Sequence, residues 1–183
     1  MVLYYVTGNS IKFREASQII KGLEWLKLDL EEVQSLDSKE IIRKKLEQAF
    51  RYKKGEFIVE DVSFSLNCIG GLPGPLIKWF LKSIGTMGIF EIADRFKNYG
   101  AVSSIEVGYA ESESDIHFFD ASIKGLVIKP AKNSNSFWDD LFMPTGYTKT
   151  FAEMSLKEKN SISHRGLALA KLNQFLHDRK IQF

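Results

Sequence analysis

Residues 2 to 6, Val-Leu-Tyr-Tyr-Val, form an unbroken apolar run of β-formers, and Thr7-Gly8-Asn9-Ser10 behind them are small and polar. A short apolar run bounded by such residues predicts a buried strand. Asn9 or Ser10 then caps a helix, because a side-chain oxygen can accept from the first unpaired amides. Phe13, Ala16, Ile19 or Ile20, and Leu23 continue at helical spacing, and Gly22 marks the end. Trp25 to Leu30 predicts a second strand. Asp37-Ser38-Lys39-Glu40 resembles a capping box, and Ile42, Leu46, Ala49 and Phe50 form one apolar stripe up to Gly55. Phe57-Ile58-Val59 predicts a third buried strand, ending at Glu60-Asp61.

Past the Asn67–Pro75 loop the pattern changes. Gly74 and Pro75 suit the cap and first turn of a helix that runs through Leu76, Ile77, Phe80, Leu81 and Ile84. Ile89, Phe90 and Ala93 predict another short helix. Residues 101 to 129 read as three strands separated by turns. A polar loop follows from 133 to 149. Ser155-Leu156-Lys157-Glu158 is a capping box, and a last helix from about Ser163 turns Leu169, Leu172, Phe175 and Leu176 inward. Strands interleaved with helices predict an α/β fold, and the strand-rich middle predicts a mixed sheet.

Four places carry candidate chemistry. At Thr7-Gly8-Asn9 the strand-to-helix junction presents unpaired amides and the positive end of the helix dipole, with Lys12 one turn in. A phosphate cradle and an ordinary capped turn both fit. The spacing is not that of a Walker loop or a dinucleotide fingerprint. Glu60-Asp61 and Glu31-Glu32 follow predicted strands, where α/β sheets bind ligands. Neighbouring acids on an extended chain face opposite ways, so one can hold a metal while the other is structural. Carboxylates from the two strand ends could share one Mg²⁺. Solvated strand-end acids are the alternative. Lys159, Ser163, His164 and Arg165 crowd into about two turns and offer phosphate or carbonyl donors, but no Gly-x-Ser-x-Gly elbow supports a serine hydrolase. Phe137-Trp138-Asp139 can stack on a base and bond its edge, or Trp138 can pack in the core.

Composition narrows the class. The chain has 183 residues, about one domain, and 44% hydrophobic residues, enough for a core. A net charge of +2 gives no nucleic-acid signal. The lone Cys68 excludes an internal disulfide and a cysteine-only zinc site. No leader precedes the first strand pattern, and no apolar run approaches the ~20 residues of a membrane span. The expectation is a soluble, cytoplasmic, single-domain protein with no membrane partner.

Three separated segments together resemble the inosine triphosphate pyrophosphatase family. They are "TGNSIKFRE", "VEDVSFSLNCIGGLPGPLIKWFL" and "FMPTGYTKTFAEMSLKEKNSISHR". The resemblance spans nearly the whole chain in the same order. It implies a two-lobed α/β fold with an elongated mixed sheet, a nucleotide cleft between the lobes, a strand-rich lobe at about 101–129, and a homodimer. It implies Mg²⁺-dependent hydrolysis of non-standard purine triphosphates (ITP, dITP, XTP) to the monophosphate and pyrophosphate. By matching positions, Thr7, Gly8, Asn9 and Lys12 would cradle phosphates, and Lys45 would reach the same tail. Glu32 and Asp61 would bind Mg²⁺, and Asp61 is also the acid–base candidate. Trp138 and Asp139 would border the nucleoside, and Lys159, His164 and Arg165 would close the base pocket. Donors from His164 and Arg165 would accept a 6-oxo group and refuse a 6-amino group.

The chain departs from the family pattern in two places. Val62 stands where Thr or Ser usually follows the central Asp. Ser136 takes the slot of the stacking aromatic and Phe137 that of a glycine, and a one-residue shift would let Phe137 stack instead. Two other functions are weighed: a nucleotide-binding protein that does not hydrolyse, and a nucleic-acid module built on Arg43-Lys44-Lys45 and Arg51-Tyr52-Lys53-Lys54.

Overall fold

The computed structural model describes residues 2–130 and 138–181. The elements are β1 (Leu3–Val6), α1 (Ser10–Ile19), β2 (Glu24–Leu26), α2 (Ser38–Tyr52), β3 (Glu56–Leu66), β4 (Pro73–Gly74), α3 (Ile77–Arg95), β5 (Gly100–Ser112), β6 (Asp115–Val127), β7 (Phe142–Pro144), α4 (Leu156–Ile162) and α5 (His164–Ile181). The strands form one seven-stranded sheet in the order β2-β1-β3-β5-β6-β7, with β4 paired to β3. The sheet is mixed. β1 runs parallel to β2 and β3, while β4 is antiparallel to β3 and β7 to β6. Among the described residues, no helix is long and apolar enough to cross a membrane.

The chain divides into two compact units. The first gathers the residues up to Asp61, Ile105–Ala121, and those from His164 onward. The second holds Val62–Ser104 and Ser122–Ser163. The strand-rich segment therefore contributes to both units.

In the first unit, α2 lays its apolar stripe on the sheet. Ile42, Leu46 and Ala49 pack with Tyr4, Val6, Phe57, Val59 and Ala110. Each large apolar side chain buried this way contributes about 1.5–3 kcal/mol. The close approach of α2 explains Gly108 on β5. A Cβ there would sit 2.2 Å from Ile42 Cγ2. In the second unit, Phe142 meets Phe64 edge-on at 5.6 Å and Phe151 at 5.3 Å.

Several boundaries differ from expectation. α1 stops at Ile19, leaving Leu23 outside the helix, and β2 is only three residues long. Leu28 and Leu30 still pack against the core without strand pairing. β3 does not end at Glu60-Asp61 but continues to Leu66, since Val62, Phe64 and Leu66 keep finding apolar cover. Both acids are thus in mid-strand. Gly74 and Pro75 do not start a helix. Gly74 pairs with Phe64 of β3 at φ +57°, and α3 begins at Ile77. The two predicted helices are both present within Ile77–Arg95, separated at Gly85, whose φ of 67° breaks the helical path. The three strands over 101–129 are two, because β6 runs through Gly125. That glycine lies so close to β7 that a Cβ would meet Met143 O at 2.4 Å. β7 lies inside the stretch read as a loop. The capping box at Ser155 is present, with Glu158 N donating to Ser155 Oγ and Ser155 N to Glu158 Oε2.

Candidate active site

The junction between β1 and α1 is built by its own side chains. Asn9 is the N-cap, its Oδ1 accepting from Ile11 N at 2.9 Å and Lys12 N at 3.4 Å. Thr7 Oγ1 accepts from Asn9 N at 3.1 Å, and Trp25 Nε1 donates to Thr7 O at 2.8 Å. Gly8 is informative because the fold does not require it. Its φ is ordinary for any residue, and the nearest neighbour of an added Cβ is Asp29 Oδ1 at 3.8 Å. An alanine would fit the free protein.

Glu60 and Asp61 point to opposite faces of β3, as period-2 geometry requires. On one face Asp61 meets α2. Lys45 Nζ lies 3.4 Å from Asp61 Oδ1 and 3.1 Å from Glu32 Oε1, and it donates to Glu60 O at 2.9 Å. Ser38 Oγ donates to Asp61 Oδ2 at 3.1 Å. Burial pushes the Asp61 carboxyl above its usual value, against the pull of Lys45 and Ser38. A carboxylate raised in this way is a stronger base than one in water.

On the other face Glu60 is fully engaged. Its Oε1 accepts from Lys12 Nζ at 2.9 Å and Arg165 Nη2 at 2.9 Å. Its Oε2 accepts from Tyr5 OH at 2.5 Å and Arg165 Nε at 2.9 Å. Arg165 Nη1 donates to Glu15. Burial alone would raise the Glu60 carboxyl, but Arg165 and Lys12, with hydrogen bonds from Arg165 and Tyr5, hold it well below its usual range. Burial opposes the Arg165 charge, and the Glu60 and Glu15 carboxylates outweigh it. The Arg165 guanidinium, expected at a base pocket, is thus directed in this structure to two carboxylates. His164 beside it is buried at the start of α5.

In the second unit, Lys159 Nζ reaches Asp139 Oδ2 at 2.5 Å. Trp138 is 4% exposed and packs its ring 5.8 Å from that of Phe64, so it occupies the core. Ser136 and Phe137 lie outside the described residues.

The site residues of the first unit form two clusters, Lys45 with Glu32 and Asp61 on one face of β3 and Lys12 with Glu60 and Arg165 on the other, and the Thr7-Gly8-Asn9 turn belongs to the same unit. Asp139 and Lys159 pair in the second. Sequence reasoning singled out Glu60 with Asp61 but not the contacts it makes, and it gave no site role to Ser38, Tyr5 or Glu15. Ser38 stood in a recognised helix start, but no local pattern marked its contact or those of Glu60.

Among the described residues, no three His, Cys, Asp or Glu side chains come together as a protein-only metal site. Glu32 and Asp61 do fit Mg²⁺, which takes hard oxygen donors from one or two carboxylates and completes its shell with water and substrate phosphate. Their convergence on one ammonium shows that both already face a cation. The basic residues of α2 are spread over different surroundings. Lys45 is buried, Lys44 lies 3.0 Å from Glu47, Arg51 also pairs with Glu47, and Arg43 lies over the Phe118 ring at 4.9 Å.

The model of the Ham1 family matches residues 3–175. The chain is 37% identical to an inosine triphosphate pyrophosphatase of Kluyveromyces lactis, covering 98% of this chain and 97% of that protein. It is 36% identical to another protein of that name from Schizosaccharomyces pombe, over 97% and 96% of the two. The fold matches a HAM1 protein structure from Coxiella burnetii with a TM-score of 0.81 at 18% identity, over 97% of this chain and all of that one. A family match over nearly the full length, with full-length relatives above a third identical, places this chain in the Ham1 family.

Proposed function

We propose that this protein hydrolyses inosine and xanthosine triphosphates, and their deoxy forms, to the nucleoside monophosphate and pyrophosphate. The observation that carries the reading is the convergence of Glu32 and Asp61 on Lys45. The full-length relatives named inosine triphosphate pyrophosphatase support it. The chain acts as a single catalytic domain on the cytoplasmic nucleotide pool and works as a homodimer, with no nucleic-acid partner.

The residues divide the work. Thr7, Gly8, Asn9, Lys12 and Lys45 bind the polyphosphate tail. Two lysines oppose the charge that makes attack on a triphosphate slow. Asp61 orients water for attack at the α-phosphorus and accepts its proton, with Ser38 and Lys45 holding the carboxylate in place. Glu32 and Asp61 would hold Mg²⁺, which when bound would offset phosphate charge and acidify water. Asp139 and Lys159, which pair in the second unit, read the base. A purine with a 6-oxo acceptor is matched by donors, and one with a 6-amino donor is not.

A panel of triphosphates with Mg²⁺ and identified products tests this. ITP and XTP are turned over well above ATP, with pyrophosphate released. Orthophosphate as product, equal turnover of ATP, or tight binding without turnover contradicts it.

A further inference from the structure

Glu60 has no assigned part in this reaction, yet it is among the most heavily bonded side chains in the first unit. A carboxylate offers about four acceptor sites, and Glu60 fills them with Lys12, Tyr5 and two nitrogens of Arg165. These partners differ in freedom. Tyr5 is completely buried, and Arg165 is fixed between Glu60 and Glu15 with 9% of its side chain exposed. Lys12 has 22% exposed and sits on α1 just past the Asn9 cap. Lys12 is therefore the partner able to leave. It is also the group that the proposed function sends to the phosphate tail.

We infer that Glu60 is a positioning residue that holds Lys12 in the free protein and releases it to the incoming polyphosphate, with the Tyr5 hydroxyl and Arg165 retaining Glu60 once Lys12 has gone. This rests on the reading of Lys12 as a phosphate ligand. The Tyr5 hydroxyl sets how firmly Lys12 is held. With it, a departing Lys12 leaves a carboxylate that still has three donors. Without it, Glu60 depends more on Lys12 and keeps it, so polyphosphate binds more weakly. Tyr5 thus acts on the ligand through Glu60 and Lys12 without touching it. No bond is made or broken in this step. One ion pair replaces another.

A double-mutant cycle tests the chain of contacts, with inorganic tripolyphosphate as the probe and calorimetry as the readout. Tyr5→Phe weakens tripolyphosphate binding by about fivefold, as expected for partial loss of a bond to a charged group. In a Lys12→Ala background the same change has no further effect, because there is no ammonium left to hold. A merely structural role for Tyr5 would act equally in both backgrounds, and that result overturns the inference while leaving Lys12 as a phosphate ligand. A wild-type chain that binds no tripolyphosphate overturns the reading of Lys12 and the inference with it. Amine acylation of the wild-type chain gives a check free of mutation. Saturating tripolyphosphate changes the reactivity of Lys12 and leaves exposed Lys44 unaffected, and an unchanged Lys12 contradicts the handover.

Discussion

Glu60 and Asp61 are adjacent in β3, yet their carboxylates serve different networks: Glu60 bonds Tyr5, Lys12 and Arg165, and Asp61 bonds Ser38 and Lys45. One residue of offset on an extended chain separates them to two faces. The two acids should therefore fail differently when mutated.

Asp61→Asn keeps nearly the same shape and loses the base. Turnover of ITP falls by a factor of about 10²–10⁴, the usual contribution of a positioned general base. The thermal transition stays close to wild type. It can rise, because burial already disfavours the ionised Asp61 in the folded state. Steady-state kinetics beside a melting curve check this. Unchanged turnover removes Asp61 from the chemistry.

Glu60 controls an acid-dependent part of stability. Its carboxyl is held below the ordinary glutamate value of 4.5 in the folded chain. The unfolded chain then binds the proton first, so the stabilisation is complete above about pH 4.5 and is lost as pH falls through the folded value. Denaturant melts of wild type should weaken steadily below that pH. Glu60→Gln should be less stable at neutral pH and show a shallower acid slope. An identical slope in both proteins contradicts the assignment.

Gly8→Ala separates folding from binding. Nothing in the free structure lies closer than 3.8 Å to the added carbon, so the melting temperature should hold. The KM for ITP should rise by about tenfold or more if the backbone there meets a charged phosphate, with kcat less affected. A large loss of stability with normal KM would reverse the interpretation of this glycine.

Trp138→Ala should destabilise the chain by about 3–5 kcal/mol, the range for emptying a buried aromatic site. Trp138→Phe, which preserves packing against Phe64, should recover much of that. Chemical denaturation measures both. A fully stable Trp138→Ala protein with altered base preference would instead give the ring to the nucleoside.

Much of this architecture was readable from local signals. The stripe of α2, the Asn9 cap and the Ser155 capping box each lie within a few residues of their cause. Strand limits were less readable. The end of β3 was placed at two acids because charged residues usually stop buried strands, but here each acid finds a buried cationic partner and the strand continues. β7 was hidden because three residues, Phe142–Pro144, are too few to show alternation. At the site, Lys12 stood out at the strand-to-helix junction and the Glu31-Glu32 and Glu60-Asp61 pairs at predicted strand ends, and Lys45 came through motif resemblance, whereas the contacts of Tyr5, Glu15 and Glu60 were not legible. Their contacts span 55 residues from Tyr5 to Glu60, 105 from Glu60 to Arg165 and 150 from Glu15 to Arg165. Only the folded chain brings them together.

The most direct measurement is hydrolysis of ITP in ¹⁸O-labelled water, with both products analysed by mass spectrometry. Water directed by Asp61 to the α-phosphorus puts the label in the nucleoside monophosphate and leaves pyrophosphate unlabelled. Label in pyrophosphate, or in free orthophosphate, means attack at another phosphorus and contradicts the account.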